Sequence, residues 1–65
     1  MEDYQKRVIE EKENLDIKVQ KLGLFLYQNK VSEKETNLLE KQLAIMEEYS
    51  DILRERIYLF DGEGE

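Results

Sequence analysis

The sequence predicts an all-α protein: an antiparallel two-helix hairpin that assembles into a compact helical homo-oligomer. Three observations carry this expectation. The 65 residues include no Pro and only three Gly, so little interrupts long helices. Apolar residues recur at helical spacing through two segments that a short polar break separates. The second segment repeats its apolar residues in two adjacent rows, more surface than one neighbouring helix covers.

The first helix is expected from about Asp3 to about Gln28, with Asp3 as its N-cap and Glu2 and Lys6 spaced as a helical ion pair. Val8, Leu15, Val19, Leu22 and Leu26 form its apolar stripe, which Tyr4 extends backwards. Ile9, Ile17, Leu24 and Val31 run beside that stripe. Gly23 interrupts good helix formers at a cost of about 1 kcal/mol relative to Ala, which points to a close helix contact or a slight kink.

Asn29 to Ser32 read as the turn, and Ser32 with Glu35 reads as a capping box that opens the second helix. That helix is expected to end near Phe60. Residues 1–60 then form the hairpin domain, and 61–65 an acidic tail in which Gly62 is the residue after the helix. Leu39, Met46, Leu53 and Phe60 recur every seven residues, as do Leu38, Ile45, Ile52 and Leu59 one position earlier. Leu43, Tyr49 and Ile57 widen the apolar arc. A hairpin supplies one partner for this helix, and a second chain must supply the other.

Size and composition narrow the function. A chain this short encloses little core, and small domains add disulfides, metals or subunits. Cys and His are both absent, which removes disulfides, Cys/His zinc sites and the imidazole base. The net charge of −6 disfavours polymeric DNA or RNA and anionic membrane as partners. Met1-Glu2-Asp3-Tyr4 is acidic where a signal peptide is basic, and the run from Leu22 to Tyr27 is too short to span a bilayer. A cytoplasmic protein is the expectation.

Catalysis is the weakest class. Ser32, Ser50 and Thr36 are the available nucleophiles, and none has an evident base beside it. Glu10, Glu13 and Asp16 share a face that reads as solvated rather than metal-binding, phosphate loops are absent, and no cofactor is expected. Anion binding is better supported. Lys6, Arg7, Lys12, Lys18 and Lys21 place half of the positive charge on the first helix, with Tyr4 at its start. A base stacks on an aromatic ring for roughly 1–3 kcal/mol, while phosphates find the cations. Tyr4 and Lys18 lie fourteen residues apart, about 21 Å along one helix. They grip one dinucleotide only if neighbouring subunits bring one chain's Tyr to another's Lys.

The string Tyr4-Gln5-Lys6-Arg7-Val8-Ile9-Glu10-Glu11-Lys12, with Leu15-Asp16, Lys18 and Lys21-Leu22 after it, resembles the phage anti-CBASS protein 2 family. Leu38-Leu39, Gln42-Leu43, Met46, Tyr49-Ser50, Ile52-Leu53 and Arg56-Ile57 resemble the second helix of that family. The resemblance implies a sponge that holds cyclic dinucleotides such as cyclic GMP–AMP between subunits of a homo-hexamer, without hydrolysis. It implies cyclic trinucleotide binding at a separate site in some members. By resemblance, Tyr4 stacks on a base and Lys18 meets the phosphate, with Lys21 the alternative. Arg56 belongs to the trinucleotide site, and Arg7 touches either ligand or a neighbouring Glu. The location implied is the cytoplasm of an infected bacterial cell. One departure bears on the pocket rim: the segment between Leu26 and Leu38 is a few residues shorter than is usual in that family. A rival reading needs no resemblance: an acidic helical module that docks on a host protein.

Overall fold

In the computed structural model, which describes residues 2–28 and 30–63 (61–63 as backbone only), the chain is all-helical. Helix α1 spans Asp3–Gln28 and α2 spans Glu33–Glu63, and the two pack as an antiparallel hairpin of about 50 × 14 × 14 Å.

The start of α1 differs from the expected cap. The Glu2 carbonyl accepts from the backbone N–H of Gln5 at 3.1 Å and of Lys6 at 3.2 Å, so Glu2 is the N-cap and Asp3 is already in the first turn. Gln5 Oε1 accepts in return from the Glu2 N–H at 2.9 Å, the back-reaching half of a capping box. A side chain three residues into the helix thus satisfies the first donor, which frees Asp3 to act through its charge on the helix dipole.

At α2 the expected capping box is half made. Ser32 Oγ accepts from the Glu35 N–H at 3.2 Å, while Thr36 Oγ1, rather than the Glu35 side chain, returns a bond by donating to the Ser32 carbonyl at 2.9 Å. Of the expected turn, Asn29 lies outside the described residues. The far end of α2 runs to Glu63, three residues beyond the expected stop at Phe60, so Gly62 lies inside the helix. Glycine permits a left-handed terminus without forcing one, and each further residue adds a backbone bond. Gly64 and Glu65 of the expected tail lie outside the described residues.

The core is a single seam. Val8, Leu15 and Leu53 are buried, Leu53 completely, and Val19, Met46, Ile57 and Phe60 pack against them. The seam steps alternately by four and three residues, as packing along a helix pair requires. In α1 it runs through Val8, Lys12, Leu15, Val19, Leu22 and Leu26. In α2 it runs through Leu39, Leu43, Met46, Ser50, Leu53, Ile57 and Phe60. Tyr4 closes one end, its ring edge-on to Phe60 with centroids 5.7 Å apart.

The other apolar row of α2 has no cover within the hairpin. Leu38, Ile45, Ile52 and Leu59 are 63%, 64%, 54% and 53% exposed. Ile17 and Leu24 of the neighbouring α1 row are exposed as well. The surplus surface read from the sequence is therefore real, and one seam leaves it facing water.

At Gly23 the close helix contact, one of the two expected roles, is not made within the hairpin. A Cβ placed there meets nothing within 4 Å, so no close helix contact inside the hairpin requires the glycine. Gly23→Ala is expected to raise stability by about 1 kcal/mol through helix propensity, read as a higher denaturation midpoint in urea. Leu53→Ala removes the one side chain wholly buried among the described residues and is expected to cost about 2–5 kcal/mol, enough to leave the chain largely unfolded by circular dichroism at 25 °C.

Candidate ligand-binding edge

The stepping of the seam divides each helix into two flanks. On one flank α1 presents Tyr4, Arg7, Glu11, Asn14, Lys18 and Lys21, and α2 presents Tyr49 and Arg56 beside the uncovered row Leu38, Ile45, Ile52 and Leu59. On the other flank Glu13, Asp16, Glu40, Glu47 and Asp51 outnumber Lys6 and Arg54. The net charge is thus unevenly spread. Tyr4, Arg7, Lys18, Lys21 and Arg56, all singled out in the sequence, fall on the same edge.

That edge holds a groove of about 390 Å³, lined by Arg7, Glu10, Glu11, Asn14, Leu15 and Lys18 of α1 and by Tyr49 of α2. Arg7 and Lys18 share a face because eleven residues make just over three turns, which sets them about 16 Å apart along the helix. Tyr49 reaches the groove across the seam, next to buried Ser50, and is 41% exposed. The groove does not include Tyr4, which sits at the end of the hairpin against Phe60, half exposed. Lys21 and Arg56 are exposed further along and do not line it. Glu10 and Glu11 balance Arg7 and Lys18, so an anion gains most where more cations of the edge reach it.

The sequence matches the family model described as Sequestin over residues 2–59, both helices and the whole of the edge. The chain belongs to the Sequestin family. No curated protein and no solved structure matches it. The Sequestin name is that of a binding protein rather than a catalyst. Among the described residues no helix is long and apolar enough to cross a membrane, and no three carboxylates gather as a metal site.

Sequence reasoning missed one constellation of this Sequestin hairpin. Ser50 is buried in the seam and donates its hydroxyl proton to Asp16 Oδ1 at 2.5 Å. Lys12 Nζ donates to Asp16 Oδ2 at 2.7 Å and to Ser50 Oγ at 3.1 Å, closing a triangle across the two helices. The signal was present: Lys12 and Ser50 occupy seam positions where the four-three stepping calls for apolar residues. The triangle is a structural layer. The Ser50 proton is committed to a carboxylate and the hydroxyl is covered, so Ser50 is not presented as a nucleophile.

The hydrogen bond from Lys12, followed by that from Ser50 and the ammonium charge of Lys12, holds the Asp16 carboxyl below the usual carboxylate range despite partial desolvation. The native state therefore binds this proton less readily than the unfolded chain. The stabilisation is fully present above the ordinary aspartate value of about 3.9, and it fades as pH falls through the lower folded value. With side-chain exposures of 23% for Lys12 and 47% for Asp16, the pair is solvent-screened. Melting temperature is expected to fall below about pH 4 in the wild type, and Asp16→Asn is expected to flatten that acid limb while lowering the plateau above it. Parallel acid limbs in the two proteins would count against this role.

Proposed function

We propose that this Sequestin-family chain is a phage-type anti-defence protein that sequesters cyclic dinucleotides, cyclic GMP–AMP or a near relative, between subunits of a homo-hexamer. It holds them without hydrolysis and so starves CBASS immunity in the cytoplasm of the infected bacterium. A separate site that takes cyclic trinucleotides would use Arg56.

One observation carries the reading: the groove with Arg7, Lys18 and Tyr49 lies on the same edge as the uncovered apolar row of α2. A second copy that covers this row also builds a wall beside the groove. The family name supports sequestration as the general role. The resemblance of both helices to the anti-CBASS protein 2 family supports the ligand class.

The chemistry follows from the placement of the side chains. Tyr4 keeps about half its surface in water, 48%, so its ring is available for a base to stack on. Lys18, with Lys21 one turn further along the same helix edge and Arg7 three turns back, offers charge-assisted bonds to the phosphates. The span between Tyr4 and Lys18, about 21 Å, assigns the two ends of one ligand to different chains. A cyclic dinucleotide is itself nearly twofold, so one subunit interface presents the same groups to each half.

A thermal-shift panel of cyclic di- and trinucleotides tests the proposal. Micromolar cyclic dinucleotide is expected to raise the melting temperature by linkage, and the nucleotide should be recovered intact after the protein is denatured. Tyr4→Ala and Lys18→Ala are each expected to weaken binding about tenfold or more by calorimetry, with particle size unchanged. A panel with no stabilising nucleotide would reject the ligand class and favour the rival in which the acidic flank docks on a host protein.

A further inference from the structure

The groove does not offer its two cations on equal terms. Arg7 stands among acids: Asp3, Glu10 and Glu11 lie three or four residues from it, the spacings at which side chains of one helix meet. Lys18 has Asn14, Leu15, Lys21 and Leu22 at the same spacings, and none of them is acidic. Glu11 stops seven residues short of Lys18, about 10 Å along the helix, which is beyond the roughly 8 Å over which charge carries at physiological salt. Across the seam Ile45 and Tyr49 face this end, while Glu47 belongs to the opposite flank and Glu48 to the outer side of α2. Among the described residues neither cation is fixed in a salt bridge, so what separates them is the charge around them. Only the Lys18 end has positive charge to spare.

The register of the hairpin puts the aromatic ring at that same end. Tyr4 packs on Phe60, and Ser50 is bonded to both Lys12 and Asp16, which sets Tyr49 level with Leu15. Both residues line the groove. From that level Lys18 is three residues onward, about 4.5 Å, and Arg7 eight residues back, about 12 Å. A base on the ring and its own phosphate on Lys18 fit the first spacing, whereas the second calls for another nucleotide. Tyr49 adjoins buried Ser50 and is 41% exposed, so its ring is seated in the fold and still open to a ligand.

We propose that each chain holds one nucleotide unit by itself, with the base stacked on Tyr49 and the phosphate of that unit on Lys18. Lys21, one turn further along, adds to the field at the phosphate. Asn14 lines the groove one turn before Lys18, and its amide brings both a donor and an acceptor to the base edge or sugar. Of the two roles open to Arg7, its charge serves the neighbouring Glu10 and Glu11 rather than this phosphate. The half-site deepens the sequestration reading and rests on it. No partner's Tyr has to reach Lys18, in contrast to the expectation from the sequence. The half-site also stands whichever way a second copy packs on the uncovered row of α2.

The chain contains no Trp, so Tyr49→Trp carries a single fluorescent reporter at the stacking position. Saturating cyclic GMP–AMP is expected to quench its emission by about half or more, because a stacked base meets the indole directly. Inorganic pyrophosphate, which brings charge without a base, is expected to change it by less than roughly a tenth. By calorimetry Tyr49→Ala is expected to bind cyclic GMP–AMP roughly tenfold or more weakly while Tyr49→Phe retains affinity, at unchanged particle size. Lys18→Gln is expected to lose about tenfold more affinity than Arg7→Gln. Unquenched binding by Tyr49→Trp, or equal affinity in Tyr49→Ala and wild type, overturns the half-site and leaves sequestration standing. Equal losses in Lys18→Gln and Arg7→Gln overturn the assignment of the phosphate to the Lys18 end. A wild type that binds no cyclic nucleotide overturns sequestration and the half-site together.

Discussion

A two-helix hairpin owns one seam, and most of this protein's behaviour follows from how little that seam covers. Among the described residues Val8, Leu15 and Leu53 are its buried apolar residues, and of these Leu53 alone is lost to water altogether. With so short a core, one misplaced layer costs a large share of the total stability. The polar layer of Lys12, Asp16 and Ser50 makes sense in that setting. Sliding the helices by one seam step would part Ser50 from Asp16 and set Lys12 against Met46 or Leu53, so the triangle penalises every register but one. The layer thus contributes specificity in a seam whose leucines and valines would tolerate several alignments.

Net charge alone is a poor guide to what such a hairpin binds. At −6 the chain repels anions at long range, yet the seam sorts its charges by flank. Arg7, Lys18, Lys21 and Arg56 lie on one edge, while Glu13, Asp16, Glu40, Glu47 and Asp51 lie on the other. Screening at physiological salt confines each patch to about 8 Å, less than the 14 Å width of the hairpin. A phosphate at the basic edge therefore feels mainly the cations nearest to it. Glu10 and Glu11 remain in the groove as a local opposing charge, which limits what a single copy can hold.

Much of this was legible in the residues. The limits of α1, the turn and the seam stripe follow from apolar spacing, because a thin hairpin has no third element to override local preference. Three points were not legible, each for a physical reason. Asp3 has the better capping side chain, but Gln5 reaching back to the Glu2 N–H moved the cap one residue earlier. Lys12 read as one of the anion-binding cations and Ser50 as a nucleophile without a base, since polarity hides a seam position unless the stepping is followed through it. Tyr49 read as a widening of the apolar arc, and only the crossing of the two helices places it beside Lys18. Gly62 shows the converse: a strong stop signal that the helix passes.

The dimensions of the fold also bear on where a ligand can be held. Among the described residues, two helices side by side, about 14 Å across, enclose no interior large enough for a nucleotide, and the groove beside Tyr49 is open to water along its side. Phosphate bonds in such a groove are made in competition with solvent at high dielectric, where an ion pair at contact is worth about 1 kcal/mol. Covering the groove lowers the local dielectric and strengthens the same bonds severalfold without adding a residue. The row Leu38, Ile45, Ile52 and Leu59 supplies a cause for that cover, because it borders the groove and gains by being buried. Apolar burial and ligand enclosure would then be one event. On that account a chain of 65 residues needs no pocket of its own, only a seam that leaves the right row uncovered.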